Sequence, residues 1–422
     1  MGGKPEHFDL VIIGAGFSGL NALAAAVEFA PQLKIAVIEA TDRVGGHWNT
    51  VYPYVRLHHK AYGIGKHGLV GNQNTRSDIL SYANNFYNEI IARADLNVTF
   101  IWNTRHVKTS TEDLIIIHTN KVTISAGRVI DTVRYGLPQT LCTEPLGILP
   151  RDLPNLPKAS SYVIIGSGKT AMDTLRFIGR PATVIGGTPV SFANRHVPLK
   201  IVLARAFASL DSKQNDGDPV LESMHENGDM FFFMGQPGDW RLGFTDAQEI
   251  AEAESYVKEY LPNTHVDRYE RGDTLRVFLR GGGILEFDKD TVLVDCRGIQ
   301  VFRSMKPTPA IHALEGERIL YTFLTDIPDP SSAYSMTAMF IKGDLENLKQ
   351  ITPPVALMQH KTSMITVLRY VLDMNKARRH APMSDAARDM VDSNIGLIDL
   401  IKLWWIKDKI KRGIRIVLRG DY

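Results

Sequence analysis

The chain has 422 residues, 44% of them apolar, enough to bury a large core and to divide into two or three domains. Lysine and arginine number 48 against 46 aspartates and glutamates, so a net charge of +2 offers no footprint for nucleic acid or a polyanionic substrate. Its two cysteines, Cys142 and Cys296, form no close pair, which argues against a redox dithiol and a structural zinc site and for a reducing compartment.

Met1 to Pro5 pass straight into a strand without an apolar signal core, and no stretch reaches the roughly 18 apolar residues of a spanning helix. A cytoplasmic protein with no metal is the expectation. Phe8 to Ile13 is a near-continuous apolar run, as a strand buried on both faces of a parallel sheet requires. The glycine-rich turn Gly14-Ala15-Gly16-Phe17-Ser18-Gly19 follows, and Leu20 to Ala30 reads as a helix stopped by Pro31. A second strand, Lys34 to Ile38, ends in Glu39, 25 residues after Gly14, where a carboxylate can accept hydrogen bonds from a ribose diol. Strand, glycine turn, helix, strand and terminal acid together predict a dinucleotide site, with the pyrophosphate on the helix N-terminus.

The next run, Asp42-Arg43-Val44-Gly45-Gly46-His47-Trp48, pairs glycines that let backbone approach a ligand with an indole that can cover an aromatic ring. It resembles the second flavin-binding motif of the flavin-containing and Baeyer-Villiger monooxygenases, which ends Gly-Gly-x-Trp; amine oxidases have arginine at the position of His47. The resemblance implies FAD held by Gly14, Gly16, Phe17, Ser18, Gly19, Glu39, Ala40, Arg43, Gly46, His47, Trp48 and His58, with Val107 and Asp131 beside it. Tyr52-Pro53-Tyr54-Val55-Arg56-Leu57-His58 extends the likeness to a bacterial group of FAD/NAD(P)-binding proteins. Arg56, His58 and Lys60, with His59, form a basic cluster in the segment that lies near the flavin ring in the relatives. A cation there would favour reduced anionic flavin or a negative oxygen adduct, so these three are the catalytic candidates; a solvated basic loop is the other reading. Baeyer-Villiger enzymes commonly carry aspartate near the position of His58, and this chain does not.

Tyr162 to Ile165 is a second apolar strand, followed by Gly166-Ser167-Gly168-Lys169-Thr170-Ala171 and a helix through Met172, Leu175 and Ile178. Gly168-Lys169-Thr170 is no P-loop, because the glycine that motif needs five residues earlier is Val163. The resemblance assigns Gly166, Gly168, Lys169 and Thr170 to NAD(P)H. The strand Ala182 to Ile185 ends without an acid, and Arg195 lies beyond it, a pattern that favours NADPH over NADH; Arg195 as a surface cation is the alternative. The family's Phe-x-Gly-x-x-x-His-x-x-x-Trp signature is absent: Ile130-Asp131-Thr132-Val133-Arg134-Tyr135 stands in that region.

Farther on, Asp211 to Asp229 reads as an exposed excursion, and Thr245 with Gln248 as a capping box opening a helix through Tyr260. Thr274 to Phe287 reads as a hairpin around Gly281-Gly282-Gly283, and Thr291 to Asp295, with Gly298, as a buried strand returning beside the first glycine turn. Pro353-Pro354 opens a helix, Val355 to about Met374, whose N-terminus can face the flavin pyrimidine. From Gly396 to Arg419 a basic amphipathic tail, with Trp404, Trp405, Lys402 and Arg415, can lie in a membrane interface or dock on the body or a partner subunit.

These readings predict an α/β fold with two Rossmann-like dinucleotide-binding domains: an FAD domain from residues 1–157 and 288–395, an inserted NAD(P) domain at 158–287, and the tail at 396–422. The resemblance implies a single-component monooxygenase in which NADPH, or NADH, reduces FAD and a C4a-peroxyflavin oxygenates a small organic substrate with O2. A flavin halogenase, a dehydrogenase or oxidase, and a membrane-associated redox sensor remain as alternatives.

Overall fold

The structure is a computed structural model that describes residues 5–57, 74–93, 97–111, 114–133, 145–197, 199–209, 219–236, 238–297, 314–322, 330–349, 410–412 and 414. His58, Lys60, Gly298, the helix expected from Val355 and nearly all of the C-terminal tail lie outside them. Among the described residues no helix is long and apolar enough to cross a membrane.

The same βαβ unit is built twice. In the first, β1 (Glu6–Ile13) leads through the glycine turn into α1 (Phe17–Phe29) and β2 (Ile35–Ile38). There follow α2 (Arg76–Arg93), β3 (Val98–Ile101), β4 (His106–Thr111), β5 (Ile115–Thr119) and β6 (Thr123–Asp131). In the second, β7 (Tyr162–Ile165), α3 (Lys169–Ile178) and β8 (Ala182–Ile185) repeat the opening. Each first strand is buried on both faces, as its unbroken apolar sequence demands: Leu10 to Ile13 and Val163 to Ile165 are at most 3% exposed.

Between β8 and the next parallel strand lie β9 (Val190–Asn194), α4 (Leu199–Ser209), α5 (Pro219–Glu226), β10 (Met230–Phe232), β11 (Asp239–Thr245) and α6 (Ala247–Ser255). The second unit closes with β12 (Val257–Leu261), β13 (Val266–Arg271), β14 (Thr274–Leu279), β15 (Ile284–Asp288) and β16 (Val292–Asp295). Its parallel sheet runs β12-β8-β7-β16, and the first sheet runs β3-β2-β1-β6 in the matching positions. An antiparallel excursion precedes the fourth of these parallel strands in both: β4 and β5 before β6, and β13 to β15 before β16. The hairpin expected around Gly281 to Gly283 is thus present, joined by β13.

Three expectations are corrected. Val292–Asp295 does not return to the first sheet but pairs with β7 in the second. The return is made by β17 (Leu314–Glu315) and β18 (Ile319–Tyr321), the latter parallel to β6, followed by α7 (Pro330–Lys342), which packs on α1, and α8 (Leu345–Lys349). The helix expected through Tyr260 ends at Ser255, because Val257 to Leu261 complete the sheet edge against β8, a tertiary demand stronger than local helix preference. Part of the expected excursion is α5, and Met224 and Asp229 behind it are fully buried, with Asp229 ion-paired to Arg205.

Candidate dinucleotide sites

The first glycine turn is shaped by backbone contacts that side chains would forbid. Gly14 sits at φ +98°, and a Cβ on Gly19 would lie 2.0 Å from the Gly14 carbonyl oxygen, so α1 can start directly against the end of β1 only with hydrogen at that position. Gly16 and Gly46 face each other, a Cβ on Gly46 falling 2.9 Å from the Gly16 Cα. The two motifs, 30 residues apart, therefore form one backbone-lined floor. No side chain caps α1 at Gly16 and no acid occupies its first turn, so its leading N–H groups and dipole end are open to an anion.

Glu39 closes this turn. Its buried carboxylate accepts hydrogen bonds from the Ala15 amide at 2.7 Å and from the amide and hydroxyl of Thr41, each at 2.9 Å. The acid expected to meet a ribose thus also fixes the turn, leaving further lone pairs for a diol. Thr132, just beyond Asp131, donates to the Ile13 carbonyl at 2.7 Å and stands against Gly14. Asp131 ends β6 and accepts from the Val133 amide at 2.9 Å.

Trp48 is buried in the short turn Gly46–Asn49, tilted against the exposed ring of His47 at 5.1 Å. Arg76, at the start of α2, donates to the carbonyls of Trp48, at 2.8 Å, and of Asn49. No local signal in the sequence marks Arg76, since its partners lie more than two dozen residues upstream. Ala40 and Arg43 are exposed, Arg43 paired with Asp42, and Val107 is 62% exposed on β4. Arg56 is exposed, with its backbone bridged to Thr75 and its charge near Asp78. Of the basic cluster, then, the one described member faces α2.

The second turn repeats the first. Gly166 sits at φ +114° against the Cys296 carbonyl, and α3 starts at Gly168 with no side-chain cap and no acid in its first turn. A Cβ on Gly168 would meet nothing within 4 Å, so this glycine borders open space. Asp295, expected beside the first turn, lies at the second, where it accepts from the amides of Leu146 and Arg297 and pairs with the Arg297 guanidinium at 2.7 Å. It stands to β16 as Asp131 stands to β6.

Lys169 and Arg195 are not free cations. The Lys169 ammonium pairs with Asp173, one turn along α3, and with Glu249 on α6 at 2.7 Å; burial pushes its pKa down. Arg195 is 7% exposed and pairs with Asp246, at 3.1 Å, and Glu249. Arg176 joins Glu249 and Glu252, each at 2.8 Å. The two cations among the residues expected at the nicotinamide cofactor thus lie in one ionic cluster with Arg176, in which four carboxylates stand among three cations.

The two units meet at this cluster. The Tyr52 hydroxyl donates to Asp173 at 2.8 Å, and burial, reinforced by that carboxylate, pushes its pKa well up. The Tyr54 hydroxyl bonds the Pro150 carbonyl and Thr174, each at 3.1 Å, and its ring stacks on Phe177 at 4.1 Å.

Residues 12–82 match the family model described as an NAD(P)-binding Rossmann-like domain. The open crystal structure of cyclohexanone monooxygenase aligns with a TM-score of 0.56 at 14% identity, covering 92% of this chain and 98% of that one. A ferredoxin–NADP reductase of Oenococcus oeni is 30% identical over 172 residues, 40% of this chain and 47% of the reductase. A putative FAD-containing monooxygenase of Mycobacterium tuberculosis is 42% identical over 52 residues, 12% of this chain and 10% of its own. The chain spans less than half the length of the curated relatives it matches. The chain thus shares the fold of cyclohexanone monooxygenase, and its first glycine turn lies in the segment that matches the NAD(P)-binding Rossmann-like domain.

Proposed function

We propose that the chain is an FAD-dependent, NAD(P)H-consuming monooxygenase acting with O2 on a small organic substrate. The observation that carries this reading is the repeated glycine turn: two uncapped helix N-termini, on two parallel sheets, held together in one body through Tyr52 and Tyr54. Two such seats make hydride exchange between two dinucleotides the economical use of the fold.

The first seat fits FAD. The amides at the start of α1 would take the pyrophosphate, Glu39 a ribose diol, and the Gly16–Gly46 floor close backbone approach, while Arg76 holds Trp48 in place. The second seat fits a nicotinamide dinucleotide at Gly166 to Thr170, where Gly168 leaves room for a phosphate against the backbone. When bound, FAD supplies hydride acceptance and oxygen activation, so the protein's tasks are position, dryness and hydrogen-bond donation. With Arg195 engaged elsewhere, the choice of NADPH rests on the names of relatives such as the ferredoxin–NADP reductase.

That same relative supports a second reading, a reductase that passes electrons from NADPH through FAD to a protein acceptor. One experiment separates them. The purified protein, loaded with FAD, is reduced anaerobically with NADPH or NADH and mixed with O2, and product, peroxide and flavin absorbance are followed. A monooxygenase yields oxygenated product at the expense of peroxide when a substrate is present. Fast reoxidation to stoichiometric peroxide under all conditions, with rapid electron delivery to ferredoxin, favours the reductase; a colourless protein that takes up no FAD defeats both.

A further inference from the structure

Asp173 is shared between the two units. One of its oxygens receives the Lys169 ammonium, from the first turn of α3 at the second glycine turn; the other receives the Tyr52 hydroxyl at 2.8 Å, from the segment that follows Trp48. Asp173 and Tyr52 are 4% and 8% exposed, so these bonds are made away from competing water. Tyr52 is four residues from Trp48, and the Thr50 and Val51 amides bond the His47 carbonyl at 3.0 Å, so a shift of Tyr52 is carried back into the Gly46–Asn49 turn. Lys169 also binds Glu249, so it can exchange partners without leaving the cluster. Resting on the reading of the second turn as a nicotinamide dinucleotide seat, we propose that Tyr52 is a positioning residue: an anion bound at Gly166 to Thr170 draws on Lys169, Asp173 then depends more on Tyr52, and the flavin-side segment Thr50 to Val55 tightens.

The physical logic is that of linkage. An anion at the α3 N-terminus competes with Asp173 for the Lys169 ammonium. A carboxylate that loses part of a cation in a buried setting gains from every remaining donor, and among the described residues the donor that reaches it from the first unit is Tyr52. Coupling of this kind is reciprocal, so tightening the segment also favours occupancy of the second seat.

Hydrogen exchange tests it without any turnover or flavin readout. The full-length protein is labelled with and without NADP+ or NAD+, and peptides covering the second glycine turn and Thr50 to Val55 are compared. In the wild type both should slow, the second by on the order of fivefold, the lower end of ordinary coupling. Tyr52→Phe keeps the ring and loses the bond; the nucleotide should still slow the glycine turn, but the response at Thr50 to Val55 should vanish. Asp173→Asn, which still accepts from Tyr52 but holds Lys169 weakly, should leave the segment insensitive as well. Unchanged slowing at Thr50 to Val55 in Tyr52→Phe, or a wild type that slows only at the glycine turn, overturns the proposal while sparing the second seat. No slowing at the glycine turn with either nucleotide overturns the seat itself, and the coupling with it.

Discussion

At the scale of single residues, the glycines divide by what they make room for. Gly19 makes room for the protein: a Cβ there would strike the Gly14 carbonyl at 2.0 Å, so Gly19→Ala should misplace α1 and lower Tm by many degrees. Gly168 makes no room for the protein, since its φ of −83° suits any residue and its Cβ would meet nothing within 4 Å; under the proposed function the space is for a phosphate. Gly168→Ala should therefore leave Tm unchanged while weakening NADP+ binding about tenfold or more, read by titration calorimetry beside a melting curve. Cys296 gives a second prediction. Burial pushes its thiol up to about 12 from 9.0, so the unfolded chain releases this proton from pH 9 while the native one keeps it. The native state then binds the extra proton, and stability, fully present below pH 9, falls as pH rises toward 12, by roughly 1.4 kcal/mol per pH unit for one such group. Cys296→Ser should flatten the fall in Tm above pH 9, leaving the slope contributed by Tyr52, also raised by burial.

At the scale of elements, what was legible depended on whether a segment is governed by its own residues. Phe8 to Ile13, Tyr162 to Ile165 and Ala182 to Ile185 are short apolar runs bounded by glycine or proline, and each is a strand within a residue or two of its expected limits. By contrast, Val257 to Leu261 carries Lys258 and Glu259 and reads as helix; pairing with β8 overrides it. The start of α6 was missed by one residue for a chemical reason: Asp246, not Thr245, accepts from the Glu249 amide at 2.8 Å, and Thr245 instead donates to the Glu249 carboxylate. Asp246→Ala removes the cap and one partner of Arg195, and should cost about 1–2 kcal/mol. Asp246→Asn keeps the cap and should cost less, and the difference, measured by denaturant unfolding, isolates the charge.

At the scale of the whole molecule, the two units are joined by aromatic contacts no sequence pattern announces. Tyr54 stacks on Phe177 across 123 positions and bonds Pro150 and Thr174, so Tyr54→Ala removes packing and hydrogen bonds at the junction together. A loss of roughly 2–3 kcal/mol is expected, and with it the splitting of one thermal transition into two, seen by calorimetry. The sequence by itself determined the two glycine turns, because such a turn between a buried strand and a helix is a local backbone necessity: a φ of +98° or +114° disfavours a side chain and a carbonyl at 2.0 Å excludes one. It did not determine which sheet Val292–Asp295 joins, since β6 and β16 both end in apolar residues followed by aspartate, and only the neighbouring strand that completes the hydrogen bonds tells the two positions apart. Nor did it determine the fate of Lys169 and Arg195. Their charge was readable from the chain, and so was Asp173, one turn along α3 from Lys169, but Asp246 and Glu249 are brought around them only when α6 packs on α3, and a buried cation takes whichever carboxylates folding leaves within reach.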